Sequence, residues 1–484
     1  KWSRETPFSS KTAIFPETNL QAYRDLSPLE LFELFFDEEV YLLLKEETTR
    51  YALFKGYQNP EITVEEMKCF VAILIISGYN KLPGKRYYWD QEDDMRNESI
   101  YNALRRNRFE TIMQFLHMAD NTSLNADDKY AKIRPFSELL RKNFMEHFCP
   151  SQQLSHDETM IEYFGKHGCK QCIRNKPIRF GYKVWCLNNR NGYLVNFDIY
   201  QGKTWQGNTQ LERLVGKCGA SVLHLFDGLP EEKKGLPYEL YFDNLFTGFE
   251  LMLQLRDRYI TATGTVRDNR LHKCPIEPIS SMSKKDRGSF DSLNDTCNNV
   301  HVCRWLDNSV VTFMSTCHGV KPVSKVKRYS KKEKRIVEVD CPNVTKIYNT
   351  YMGYTDQFNK DNNRHRIGIR GKKWWWCLFT WLLDASVINA WKLSPNPNSQ
   401  LEFRRHIANS YLKQFGTAPI AGGRPSQTKK RRNEDIRTDQ SNHFIVPSTR
   451  RRCAGQFCKK HPASKCEKCD VGLCINCFKD FHSY

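Results

Sequence analysis

No export leader is visible in the sequence, and no apolar run reaches membrane length. No apolar stretch follows Lys1-Trp2-Ser3-Arg4, so no secretory signal is expected. The opening residue is Lys and not Met, and the natural start is expected upstream of it. The most apolar segment, Trp374 to Trp391, is interrupted by Asp384 and Asn389 and preceded by Lys372-Lys373. A spanning helix needs about 20 mostly apolar residues, so this segment reads as a buried amphipathic helix and no membrane partner is expected. Acids are also scarce: 55 against 74 lysines and arginines, a formal net charge of +19. That imbalance favours a polyanionic partner such as DNA or RNA. The 18 cysteines show no disulfide framework, because six crowd between Cys453 and Cys477 and the rest are scattered singly. A reducing compartment and a metal cluster are expected instead.

At 484 residues the chain can form two to four domains with ample core. Residues 1–150 read as helical. Ser27-Pro28-Leu29-Glu30 opens one helix with Pro in its first turn, Thr63-Val64-Glu65-Glu66 is a capping box before the apolar run Phe70 to Ile76, and Arg108 to Met118 is amphipathic. From about residue 151 strands and helices alternate. Tyr182–Leu187 and Tyr193–Tyr200 read as strands joined by the turn-forming Asn188-Asn189-Arg190-Asn191-Gly192, and Tyr238–Phe242 and Tyr259–Val266 as two more, with helical spacing in Thr209–Cys218 and Leu245–Arg256. The expected core is therefore mixed α/β, divided as 151–273 and 336–393. Residues 274–335, rich in Pro, Ser and charge, read as an insertion, 394–450 as a flexible basic linker, and 451–484 as a cysteine-rich domain.

Three acids stand at element ends: Asp157, Asp243 and Asp356. Phosphodiester cleavage with two metal ions needs carboxylates converging on one point, and Mg2+, which keeps several waters, needs few of them. A chain with 55 acids places some at strand ends in any case, so position alone does not separate metal ligands from solvated acids.

The last 32 residues carry a stronger pattern. Cys453, Cys458, His461, Cys466, Cys469, Cys474, Cys477 and His482 are eight donors, the number two tetrahedral zinc sites require. Their interleaving suggests cross-braced sites, with Cys453, Cys458, Cys474 and Cys477 on one Zn2+ and His461, Cys466, Cys469 and His482 on the other. So small a segment needs metal to fold. The lone Cys169-x2-Cys172 pair is not read as a metal site.

The motifs taken together resemble the piggyBac transposase family. Asp157-Glu158-Thr159-Met160 and Asn175-Lys176-Pro177-Ile178-Arg179-Phe180-Gly181-Tyr182-Lys183 look like its first catalytic block, Tyr241-Phe242-Asp243-Asn244-Leu245-Phe246-Thr247 like its second, and Tyr348 to Asp356 like its third. Gly264-Thr265-Val266-Arg267, Lys373-Trp374-Trp375, Leu383-Asp384-Ala385 and Asn389-Ala390-Trp391 continue the match. The resemblance implies an RNase H-like catalytic core with an insertion domain, an N-terminal helical domain and a C-terminal cross-braced zinc domain. It also implies that Asp157, Asp243 and Asp356 hold two Mg2+ ions, that the partner is double-stranded DNA (transposon ends and TTAA targets), and that the protein works as a homodimer. The cysteine-rich tail of that family binds terminal-repeat DNA. Two departures stand out: Gly353-Tyr354-Thr355-Asp356 replaces the family's Gly-Gly-Val-Asp, and Asn359 stands where a further aspartate is usual, with Asp361 nearby as a possible substitute.

The DNA-contacting candidates are Arg364, Arg366, Arg370, Lys372, Lys373 and Trp374, together with Lys327 and Arg328 in the basic run from Lys325 to Arg335. Cations beside an exposed aromatic neutralise phosphates and stack on an unpaired base; the other reading of Trp374 is the buried start of a helix, which is also the reading of Trp375 and Trp376. The basic run reads equally as a solvated loop. Lys429-Lys430-Arg431-Arg432 fits a nuclear import signal, placing the protein in the nucleus. A transposase-derived DNA- or chromatin-binding protein without nuclease activity is the alternative function. A ubiquitin ligase or histone-tail reader built on the cross-braced tail is a third, against which Arg450-Arg451-Arg452 favours DNA.

Overall fold

The computed structural model describes residues 1–4, 14–17, 20–174, 176–202, 209–331, 333–395, 399–417, 437–439 and 441–483. Asn175, Lys332 and the Lys429–Arg432 motif lie outside the described residues. The chain divides into two compact units, Lys1–Pro419 and Ile420–Tyr484.

Helices α1 (Pro28–Glu33), α2 (Glu38–Phe54), α3 (Val64–Tyr79), α4 (Glu98–Ala103), α5 (Arg106–Phe115) and α6 (Arg134–Glu146) form the N-terminal layer of the first unit. Both predicted caps are present: Ser27 and Thr63 each accept a hydrogen bond from the backbone N–H of Glu30 and Glu66, whose side chains bond back. α3 is buried on every side from Cys69 to Gly78, as a helix apolar all round must be.

The sheet is assembled from β1 (Trp2–Ser3), β2 (Gln153–Glu162), β3 (Gln171–Cys172), β4 (Phe180–Asn189), β5 (Leu194–Ile199), β6 (Glu239–Phe242), β7 (Thr261–Thr265), β8 (Phe290–Asp295), β9 (Val300–Leu306) and β10 (Val310–Ser315). Its order is β1-β8-β9-β10-β7-β6-β2-β4-β3, with β5 also on β4. β2, β4 and β5 are an antiparallel meander. The β4–β5 turn is closed by Asn189, whose Oδ1 accepts from Asn191 N and Tyr193 N (both 3.1 Å), and by Gly192 at φ +78°, a conformation that favours glycine. β6 runs parallel to β2 and β7 parallel to β6. Parallel neighbours require crossovers, supplied by α7 (Thr209–Asp227) with the short α8 (Glu231–Lys234), and by α9 (Phe249–Arg256). The order β5-β4-β2-β6-β7 is an RNase H-like core.

Residues 274–335, expected as an insertion, lie between β7 and the helix that carries the third acid, and they are joined to the core sheet. After the short α10 (Ile279–Met282), β8, β9 and β10 extend the core sheet beyond β7. Polar residues conceal this: Arg304 in β9 is 1% exposed, but its guanidinium donates to Thr312 Oγ1 (2.9 Å) and Glu277 O (2.6 Å) and pairs with Asp268. Only the hairpin β11 (Ser324–Ser330) and β12 (Arg335–Cys341) stands outside the sheet. It leads into α11 (Asn343–Tyr351), α12 (Tyr354–Arg364) and α13 (Trp376–Leu393).

The linker expected from residue 394 does not begin there. α14 (Gln400–Phe415) opens on a Ser399–Glu402 capping box, buries Phe403, Ile407, Tyr411 and Leu412, and packs on α3. Its Arg404, fully buried, donates to Asp384 Oδ1 (2.7 Å) on α13, while Asp384 Oδ2 accepts from Ile367 N (3.1 Å). Removing one partner of such a pair leaves an uncompensated buried charge, at a cost of about 3–5 kcal/mol. Arg404→Met is therefore expected to lower the unfolding free energy by about that amount in denaturant titrations. Adding Asp384→Leu should restore a large part of it; no recovery in the double variant would show that the pair is not the source of the loss.

The second unit holds β13 (Ile445–Pro447), β14 (Ser464–Cys466), β15 (Val471–Gly472) and α15 (Ile475–Ser483). β13 pairs β14 and β14 pairs β15. The expected start at residue 451 is thus too late, since β13 precedes it. The apolar core is small, with Leu473, Val471 and Phe481 buried around the cysteines. No helix among the described residues is long and apolar enough to cross a membrane.

Candidate active site and metal centres

The sheet places the first two acids. Ser155 lies opposite Tyr241 and His156 opposite Phe242 in the parallel β2–β6 ladder. The next residues along are Asp157 and Asp243, so the second acid leaves the end of β6 beside the first. Asp243 stays there because its Oδ1 accepts from Leu245 N (2.8 Å) and its carbonyl from Phe246 N (3.2 Å) and Thr247 N (3.1 Å).

α12 supplies the third acid. Alternation along β2 puts Ser155, Asp157 and Thr159 on one face. α12 packs on that face: Thr355 lies 3.5 Å from Ser155 across their hydroxyls, and Thr159 donates to Asn359 Oδ1 (2.8 Å). Thr355 and Asn359 are one helical turn apart, and the exposed Asp356 lies between them in sequence at the rim of the contact, close enough to Lys176 to raise its pKa. Thr355 is fixed further by donating to Asn188 Oδ1 (2.9 Å) on β4.

The electrostatics show uncompensated negative charge. Burial, then Glu158 and more weakly Asp243, push the Asp157 carboxyl up to about 7 against the opposing pull of Lys176. Burial and Glu158 also hold Asp243 above the usual carboxylate range, opposed by the Leu245 N–H, Lys176 and Arg267. Lys176, whose Nζ is 3.3 Å from Glu158 Oε1, is opposed by its own burial, yet Asp157, Glu158 and Asp356 outweigh that and raise its pKa. An all-oxygen cluster with more carboxylates than cations fits a hard divalent ion such as Mg2+. The three aspartates are not drawn within 4.8 Å of one another. Ions about 3.5–4 Å apart, as in two-metal sites, do not require that.

Two features were not in the expected set. Glu158 and Lys176 belong to the cluster; both stand in the motifs matched to the first catalytic block, but neither was singled out as a site residue. Asp361 does not stand in for a missing acid at Asn359. It is 2% exposed, paired with Lys392 Nζ (2.7 Å) and bonded by Gln357 Nε2 (2.9 Å).

The DNA-contacting candidates divide. Arg364, Arg370 and Lys372 are exposed, and Arg366 lies 3.4 Å from Glu162. Lys373 is not a free phosphate ligand: its Nζ donates to Gln114 O (2.9 Å) and Leu116 O (2.8 Å) at the end of α5, and burial pulls its pKa down to about 8. Trp374 is half-buried with the His167 ring stacked on it at 4.4 Å, and Trp375 and Trp376 are buried. The basic run is a hairpin and not a loop. Lys327 stands across from Glu338 in the ladder, and Arg328 is held by Asp307 (3.0 Å).

In the second unit two tetrads are drawn together, each with its ligand atoms within 4.8 Å: Cys453, Cys458, Cys474 and Cys477, and His443, Cys466, Cys469 and His482. The first is the expected set. In the second, His443 takes the place expected for His461, which is exposed. Sulfurs about 2.3 Å from a tetrahedral zinc sit about 3.8 Å apart, and Cys474 Sγ lies 3.8 Å from Cys453 Sγ and 3.9 Å from Cys458 Sγ. The histidines are oriented as ligands. His443 Nε2 contacts Asp439 Oδ1 (3.0 Å), leaving Nδ1 3.5 Å from Cys469 Sγ; His482 Nδ1 contacts Phe478 O (2.8 Å), leaving Nε2 3.6 Å from the same sulfur. Each tetrad could hold a zinc ion. His443 escapes sequence reading because it lies outside every short ligand spacing; β13 brings it in by pairing Ile445 with Cys466.

Strand order and crossover helices define an RNase H-like α/β protein, and its second unit carries two clusters, one of cysteines and one of cysteines and histidines, that could hold metal. A family model described as Transposase IS4 matches residues 27–391. The chain is 41% identical over 465 residues to the human PiggyBac transposable element-derived protein 3, covering 94% of this chain and 76% of that protein. It is 37% identical over 481 residues to the human PiggyBac transposable element-derived protein 2, covering 98% of this chain and 79% of that one. Among solved structures, a cryo-EM structure of the piggyBac transposase synaptic complex with hairpin DNA superposes with a TM-score of 0.66 at 18% identity, covering 95% of this chain and 99% of that chain. The chain belongs to the piggyBac transposase family.

Proposed function

We propose that this protein is a DNA transposase that cleaves and rejoins strands at TTAA sites with two Mg2+ ions held by Asp157, Asp243 and Asp356. The observation that carries the reading is that the middle of β2, the end of the parallel strand β6 and the first turn of α12 bring Asp157, Asp243 and Asp356 to one carboxylate cluster with too few cations. Bound Mg2+ supplies charge stabilisation to the attacking and leaving oxygens of an in-line displacement. The chain's own part is positional: Asp157 and Asp243 are set by β2 and β6, Asp356 by α12, and Lys176 offers a cation at the same place. Arg364, Arg366, Arg370 and Lys372 face phosphates, and Trp374 borders them. The two tetrads hold two structural Zn2+ ions in a module that grips terminal-repeat DNA. Two ends must be held together for such a reaction, so the working form is a homodimer, and the place of work is the nucleus.

The second reading is a transposase-derived DNA-binding protein without strand cleavage. Asn359, engaged through Thr159 with no buried acid to replace it, favours that reading. So do the names of the two human relatives, which call them element-derived. Incubating the full chain with Mg2+ or Mn2+ and duplexes carrying TTAA beside candidate terminal repeats separates the two. Metal-dependent nicking is expected; binding without nicking in any metal would leave the second reading standing.

A further inference from the structure

We infer that the groove between the segment after α3 and the arm joining α12 to α13 seats a short unpaired DNA strand a few nucleotides from the cut, an inference that rests on the proposed DNA-processing role. The groove has a volume of about 840 Å3 and is lined by Lys81, Lys85, Arg366 and Arg370. Glu162 is its one acidic lining residue, and it sits 3.4 Å from Arg366. The excess of cations calls for a polyanion.

The arm is pinned before any ligand arrives. Ser77 Oγ accepts from Gly368 N (3.1 Å) and Ile369 N (3.3 Å), Trp376 Nε1 donates to Ile369 O (2.9 Å), and Asp384 holds Ile367 N. Close approach of the backbones depends on glycine: a Cβ on Gly368 would lie 2.6 Å from Ser77 O, and one on Gly78 2.2 Å from His365 O. Arg366 and Arg370 therefore project from a rigid frame, which limits the ordering entropy that binding costs.

Size and position select the ligand. A groove of this volume holds something on the scale of a small organic ligand or two, which matches about two or three unpaired nucleotides seated within it. Asn363 in the groove is two helical turns along α12 from Asp356, about 10 Å. Glu162 is at the end of β2, five residues past Asp157 and about 17 Å away. At about 3.4 Å per stacked nucleotide, that is roughly three to five nucleotides from the acids. A strand released beside the cut would enter here, with its phosphates on the four cations.

The test compares a blunt duplex with the same duplex bearing a four-nucleotide single-stranded extension, by fluorescence anisotropy on the full chain in an Asp243→Asn background that prevents cutting. The extension is expected to tighten binding about tenfold, with a steeper salt dependence. Lys81→Ala/Lys85→Ala should lose that gain while blunt-duplex affinity changes by less than about threefold. A 5-iodouracil in the extension should crosslink to peptides from residues 77–88 or 363–370. No gain from the extension, an equal loss on both duplexes, or crosslinks elsewhere would overturn the assignment. A protein that never nicks DNA but shows the gain would sink the enzymatic reading and leave the groove assignment standing.

Discussion

Asp243→Asn is expected to reduce metal-dependent strand cleavage by about a thousandfold or more, leaving DNA affinity within about twofold. A thousandfold corresponds to about 4 kcal/mol of transition-state stabilisation, within the several kcal/mol a correctly held metal supplies. The substitution is nearly isosteric. Asn keeps an oxygen for the Leu245 N–H and leaves the turn to Phe246 and Thr247 intact. It removes only the charge, which burial and Glu158 already disfavour. A carboxylate whose folded pKa is raised destabilises the fold when ionised, so the melting temperature should stay level or rise as cleavage disappears. A purely structural role for Asp243 would instead lower both. Assays of a labelled duplex in Mg2+ and Mn2+, beside thermal melts, read the two outcomes; undiminished cleavage in the variant would refute the assignment.

The second large effect concerns zinc. The second unit buries few apolar residues, and structural zinc typically contributes about 10–16 kcal/mol of apparent binding free energy to small modules of this kind. The native chain should contain two zinc ions, and stripping them with a strong chelator should expose residues 437–483 to proteases. His443→Ala should lower the metal content towards one ion per chain, whereas His461→Ala should keep both, because His461 is exposed and outside the tetrads. Elemental analysis of the purified variants decides it. Two ions retained in His443→Ala, or one lost in His461→Ala, would return the second site to the histidine that spacing favours.

The contrast between those histidines shows where sequence reading works. The tetrad of Cys453, Cys458, Cys474 and Cys477 was legible because each of its two short pairs sits in one tight knuckle, and local spacing dictates local geometry. His443 reaches Cys466 only through strand pairing, which no short spacing records. The same limit applies to residues 274–335 and 400–415. Arg304 and Arg404 look like solvent residues in a sequence, yet both are buried because distant partners satisfy them: Thr312, Glu277 and Asp268 in one case, Asp384 in the other. The hydrogen bonds of Lys373 escaped sequence reading for a related reason. Its two carbonyl partners at the end of α5 are more than 250 residues away, at sequence separations of 259 and 257.

Local rules, namely capping boxes, the Asn-Gly turn and apolar strand runs, were enough to set the helical start of the chain, the β4–β5 hairpin, and the candidacy of Asp157, Asp243 and Asp356; β2 was not among the strands they marked. They depend on a few neighbouring dihedral angles and hydrogen bonds, which adjacent residues control. What only the tertiary structure decided is which of the 55 acids come together, that Lys176 and Glu158 join them, that Asp361 does not, and that a groove of four cations opens further along β2 and α12. Each of these turns on the charge and burial of groups brought together across the sheet, and electrostatic energy follows distance in space, not separation along the chain.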